Sequence, residues 1–250
     1  MTRSSLTSRT SKASFSRYLL IWLLPTALLV AAFWPRYLSA PAGARFAVHL
    51  HAGLAAAWMV LLMLQATLAG RGRLSLHRAI GRVAIVLAPL VLWTAAVVTQ
   101  DALAGVPGPL QAEDLRTFAL SAGGLALFAV AVGLGWRHRR TSALHARFMA
   151  LSAIGLIGAG VQRVLLFYVP GFGSVRWAGH GDLLALEALC VVVLAVDGGR
   201  PWRRSPFLVG FVVLAANHLV FAYASTWSPL RTLAEALAAA PALAPWGGAR

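Results

Sequence analysis

Apolar runs of bilayer length recur along the whole chain, and they constrain its fold more than any other feature. Phe46–Ala69 is the clearest: 24 residues without a charged group, interrupted only by His49, His51, Gln65 and Thr67. About 20 apolar residues suffice to cross a hydrocarbon core as a helix. Backbone polar groups in lipid must be satisfied within the segment, so such runs become helices. The 250 residues are 59% hydrophobic and 12% charged, whereas a soluble domain carries about 25% charged residues. The fold class expected is an all-α polytopic transmembrane bundle.

Seven spans are predicted, near residues 18–34, 46–69, 79–98, 117–136, 147–169, 182–196 and 206–226. A basic, Ser/Thr-rich leader (1–17) precedes them, and an Ala/Pro-rich tail (227–250) follows. Ser228-Pro229 suits the first turn of a short interfacial helix in that tail. Span 1 is read as an uncleaved anchor, because Trp34, Arg36 and Tyr37 suit a signal cleavage site poorly.

The net charge is +15. The basic residues lie in short loops between apolar runs, so they are topology signals and not a nucleic-acid footprint. Four lie in the leader (Arg3, Arg9, Lys12, Arg17) and four after span 2 (Arg71, Arg73, Arg78, Arg82). Four more follow span 4 (Arg137, Arg139, Arg140, Arg147), and three follow span 6 (Arg200, Arg203, Arg204). This alternation predicts seven spans with the N-terminus cytoplasmic and the C-terminus outside. The expected home is a bacterial inner membrane, with lipid, and some anionic headgroups, as partner.

Polar groups inside spans carry the functional signal, because they are costly there and face a bundle interior or cavity. Counting about 1.5 Å per residue puts His51, Arg163, Glu187 and His218 at one depth in the outer half. His49, His180 and Asp182 lie just above. Arg163 and Glu187 are read as an intramembrane polar pair, which would bolt the helices together without further function. His51, Trp58 and Gln65 recur every seven residues and share one helix face, so His51 is the inward member of His49/His51. A second layer, with His77, His138 and His145 among arginines, lies at the cytoplasmic helix entrances. Arg71…Leu76-His77 and Arg140…Leu144-His145 are alike, each following a basic turn. The lone cysteine, Cys190, forms no intramolecular disulfide and reads as a buried apolar residue.

His-x-His at the start of span 2, Leu76-His77-Arg78 with Gly81-Arg82, and Leu144-His145-x-Arg147-x-Met149 resemble a group of uncharacterised bacterial multi-span membrane proteins. That resemblance covers residues 46–220 and implies no activity. A looser one is to the b561-type di-haem cytochromes. It implies haem b held by His77 and His145 at the inner face and by His51 and His218 at the outer face. Electrons would then cross the membrane to a redox partner or quinone. Span 4, which carries a ligand in that pattern, has no histidine here.

The span count also resembles the adiponectin-receptor-like zinc hydrolases. That resemblance implies zinc on His51, His180 and His218, with Asp182 or Glu187 activating water. The paired histidines expected in the last span are absent. A small-solute or proton carrier, or a membrane scaffold, is the third reading. Walker, Rossmann and Gly-x-Ser-x-Gly motifs are all absent.

Overall fold

The computed structural model describes residues 25–196 and 205–245. The expected leader (1–17), the start of span 1 (18–24), the basic loop around Arg200–Arg204 and the last five residues lie outside the described residues. The chain is an all-helical membrane bundle, with no strand among the described residues.

The first helix, α1, covers residues 25–33 and widens into a π-turn at Trp34–Leu38. Five helices are long and apolar enough to cross a membrane: α2 (Phe46–Gly70), α4 (Ala84–Ala104), α5 (Ala112–Arg137), α6 (Ser142–Tyr168) and α7 (Val175–Val196). A sixth apolar helix, α8 (Pro206–Ala222), has 17 residues. Two shorter helices complete the bundle, α3 (Leu74–Gly81) and α9 (Ser228–Ala239). In the most apolar stretch of each long helix only 28% to 39% of residues are buried. Many of the others are apolar yet exposed, as in Val60, Val86 and Val192. Such a surface suits lipid and not water.

Neighbouring long helices run antiparallel, so the bundle has two ends: Arg45 before α2 meets Asp101 near the end of α4, and His145 near the start of α6 meets Gly135 near the end of α5. The basic end carries exposed Arg71, Arg73, Arg78, Arg82, Arg137, Arg139 and Arg140. The far end carries the α4–α5 connection and α9. Small residues set the packing. Gly124 of α5 faces Gly155 of α6 so closely that a Cβ on Gly155 would lie 3.2 Å from the Gly124 carbonyl oxygen. Glycine-lined contact of this kind lets two membrane helices approach. Between α5 and α8, the Asn217 side chain occupies the place where Gly123 has no Cβ. In the centre Trp58 is fully buried, donates from Nε1 to Ser152 Oγ at 3.1 Å, and meets Phe128 edge-on at 5.0 Å. That contact joins α2, α5 and α6.

Several boundaries differ from the sequence expectation, among them the start of span 6, where α7 begins at Val175 and not near 182. Span 3 does not run unbroken from the Leu76-His77 region. The chain forms α3, breaks at Arg82–Val83, and restarts as α4. Three-residue hydrogen bonds carry it through the break, including Val83 N to Ile80 O and Ile85 N to Arg82 O, both 3.0 Å. Pro89, inside α4, has no N–H for the carbonyl one turn earlier. Span 7 ends at Ala222, four residues early, in a turn. The connection after α4 is shorter than expected, because a capping box of Gln111 and Asp114 starts α5 at Ala112.

The tail folds back on the bundle. Proline lies in the first turn of α9, as Ser228-Pro229 suggests. Gln100, buried near the end of α4, holds the segment that follows α9. Its Nε2 lies 3.2, 3.2 and 3.0 Å from the carbonyl oxygens of Leu237, Ala240 and Pro241, and its Oε1 accepts from Leu243 N at 2.8 Å. Arg231 donates to Leu110 O at 2.9 Å and ties α9 to the α4–α5 connection.

Candidate functional site

At the far end, His180 and Glu187 lie seven residues apart on α7, two helical turns, and so share a face. That face meets α8, where His218 inserts between them. His218 Nδ1 lies 2.9 Å from Glu187 Oε1, and His218 Nε2 lies 2.9 Å from His180 Nδ1. The side chains of His218 and Glu187 are 20% and 14% exposed, so water screens their contact little. Phe221 packs edge-on against His180 at 5.0 Å, and its ring sits where Gly179 has no side chain. Trp177 flanks His180 at 6.2 Å between ring centres.

The other polar groups of this depth have different neighbours. His51 Nδ1 lies 3.2 Å from Thr94 Oγ1 on α4. The single Thr94 hydroxyl proton goes to Leu90 O at 2.8 Å, so His51 is the donor and its Nε2 is bare. His49 Nδ1 lies 2.9 Å from the Tyr37 hydroxyl. Arg163 donates to Ala159 O of its own helix at 2.8 Å, and its guanidinium lies 4.7 Å over the Phe33 ring. Asp182 is buried against α6 beside Gly158, and its Oδ1 has no hydrogen-bond partner in the structure.

These contacts revise the sequence reading. Arg163 and Glu187 share a depth but do not form an ion pair. Arg163 turns towards α1 and Glu187 towards α8, where His218 is its partner. His218 has both ring nitrogens in hydrogen bonds, to Glu187 and His180, and His51 lies against Thr94 on α4. Of the expected zinc set, His180 and His218 come together, and His51 is held instead by Thr94. Among the described residues no group of three or more His, Cys, Asp and Glu is arranged to hold a metal ion.

At the basic end the expected inner pair does come together. The rings of His77 on α3 and His145 on α6 have centres 6.4 Å apart and stand at 86°. His145 Nδ1 lies 2.9 Å from Gly135 O. A carbonyl only accepts, so this nitrogen carries the proton and Nε2 is bare. His77 Nδ1 lies 3.2 Å from Gln65 O. With its nitrogen turned towards His77, the Gln65 amide donates to His77 O (2.9 Å) and Nδ1 (2.6 Å), and accepts from Gly81 N (3.1 Å). His77 thus has two satisfied tautomers, one donating from Nδ1 to Gln65 O and one accepting from the amide. Gly81 lies beside this amide: a Cβ there would be in ordinary van der Waals contact with Gln65 Oε1, at 3.5 Å.

Sequence reasoning missed Thr94 and Gln65 as partners of the histidines. Gln65 had a signal, its seven-residue spacing from Trp58; Thr94 had none.

No family model, no curated protein and no solved structure matches the chain.

Proposed function

We propose that the chain is a seven-span redox protein of a bacterial inner membrane, N-terminus inside, with one haem b between His77 and His145 at the basic, cytoplasmic end. The observation that carries this reading is the geometry of that pair. Histidines that bind metal commonly donate their second ring N–H to a carbonyl or carboxylate, which fixes the ring. His145 does so in its only satisfied tautomer, and His77 does so in one of two. Their ring centres are 6.4 Å apart, and each would keep Nε2 for the iron while Nδ1 is held by a carbonyl.

The donor set suits haem iron, for which neutral histidine is a common axial ligand. A bound haem would supply one-electron chemistry. His77 and His145 would hold it, and the exposed Arg78, Arg82 and Arg140 are cations available to its carboxylate arms. Binding would select the His77 tautomer that donates to Gln65 O. With no free nitrogen on His218, the reading is one haem and not two. Electrons then pass to or from a quinone or redox protein at the cytoplasmic face. The orientation rests on the arginine alternation.

The test is an absorbance spectrum of detergent-purified protein from haem-supplied cells, oxidised and dithionite-reduced, with iron and zinc analysis. A Soret band that shifts on reduction, lost in both His77→Ala and His145→Ala and kept in His51→Ala, is expected. A colourless wild-type protein refutes the proposal.

A further inference from the structure

Glu187, His218 and His180 form one hydrogen-bonded file, and the haem reading does not use it. A carboxylate only accepts, so His218 Nδ1 carries a proton and, in the neutral ring, His218 Nε2 accepts. His180 Nδ1 is therefore its donor, and His180 Nε2 is bare at the end of the file nearest the start of α7. Each acceptor in the file faces a donor that can release its proton inward. Gluing α7 to α8 needs only one of these bonds.

We propose that this file is a proton-loading site, which takes one proton from the far-end face and holds it on Glu187 inside the bundle. The proton binds His180 Nε2. His180 releases its Nδ1 proton to His218 Nε2, and His218 releases its Nδ1 proton to Glu187. One proton enters, three N–H or O–H bonds form and two break. The carboxylate becomes a neutral carboxyl, and both imidazoles end neutral in the opposite tautomer. Glu187 lies seven residues along α7 from His180, so the proton travels about 10 Å along the helix axis.

The surroundings make this a store and not a channel. One turn beyond Glu187 is Cys190, fully buried with its sulfur against the Gly210 and Leu151 contact, an apolar stop. The charged groups acting on His180 are Arg176 on α7 and Arg116 on α5, and Arg116 is paired to Glu113 at 3.1 Å. From α6, Arg163 acts on Asp182. From α8, Asn217 fills the Gly123 gap. Among the described residues no arginine or lysine is paired with Glu187, whose partner is the His218 imidazole, so a proton is what neutralises it. In the proposed orientation this face is the outer one. The site is independent of any cofactor at the basic end.

The test uses the full chain in lipid nanodiscs, labelled with ¹⁵N-histidine and ¹³C-glutamate. Nitrogen NMR and the infrared carboxyl band are followed between about pH 8 and pH 5, where histidine sites ordinarily titrate. The expected result is that His180 and His218 change tautomer together while a protonated glutamate band appears. The band is lost in Glu187→Gln, and His180→Phe slows its appearance after an acid jump. Unchanged tautomers across the range overturn the proposal. So does a histidine that becomes cationic beside an ionised Glu187, which is an ordinary salt bridge. The wild-type spectra decide between these outcomes even if either variant fails to fold.

Discussion

Gln100→Leu should release the tail while leaving the bundle intact. The amide has two hydrogens for three carbonyl oxygens, at Leu237, Ala240 and Pro241, and its oxygen takes Leu243 N. Three hydrogen bonds therefore count, at about 1 kcal/mol net each, giving about 3 kcal/mol. Leucine keeps most of the side-chain volume, so little cavity cost is added. Arg231 to Leu110 and the buried Leu230 and Ala234 still hold α9, so the loss appears as local opening and not unfolding. At 1.4 kcal/mol per tenfold, about 3 kcal/mol accelerates amide exchange about 100-fold. Hydrogen–deuterium exchange on peptides covering residues 228–245 and on α6 peptides reads the difference. Unchanged exchange in residues 237–245 would mean that water replaces the amide at no cost. Equal acceleration in α6 would mean that the tail and the bundle open as one unit. Either result refutes the reasoning.

Arg163 and Glu187 touch different partners, so the stability costs of Arg163→Ala and Glu187→Ala should add within about 0.5 kcal/mol. A double variant more stable than either single one, measured by thermal unfolding in detergent, would restore the ion-pair reading. Trp58→Phe removes the donor to Ser152 Oγ and should cost about 1 kcal/mol for that bond, plus the smaller ring's packing loss. A wild-type melting temperature would contradict it. Gly123→Val drives a side chain into Asn217. It should destabilise by about 1–3 kcal/mol, and Asn217→Ala in the same chain should recover part of the loss.

The helices were legible because a lipid-facing helix needs only length and apolarity, and Phe46–Ala69 declares both. Counting residues from the apolar runs puts His51, Arg163, Glu187 and His218 at one expected level, but α7 starts at Val175, seven residues before the expected span 6. Direction around the helix was not legible. In a soluble protein a polar face marks the outside, but here lipid and core are equally apolar, so nothing in the sequence of α6 says that Arg163 faces α1. The seven-residue spacing of His51, Trp58 and Gln65 was the exception, because three polar or amphipathic side chains share a face. The α3–α4 break follows Gly81, the last residue of α3, but a single glycine inside a helical pattern does not by itself mark a stop. Gln100 was unreadable, since its partners are main-chain atoms up to 143 residues away.

The shortness of α8 has a consequence for the membrane itself. Its 17 residues span about 25 Å at 1.5 Å per residue, against a hydrocarbon core of about 30 Å. The 27 residues of α6 span about 40 Å. In the proposed seven-span bundle one bilayer thickness does not suit both, so lipid beside α8 would thin or α6 would tilt. His218 is four residues from the end of α8, about 6 Å, and thinning there brings headgroups and their water towards it. A thicker, sterol-rich or longer-chain bilayer should push the same histidine deeper into hydrocarbon, making lipid chain length a control on access to the far end.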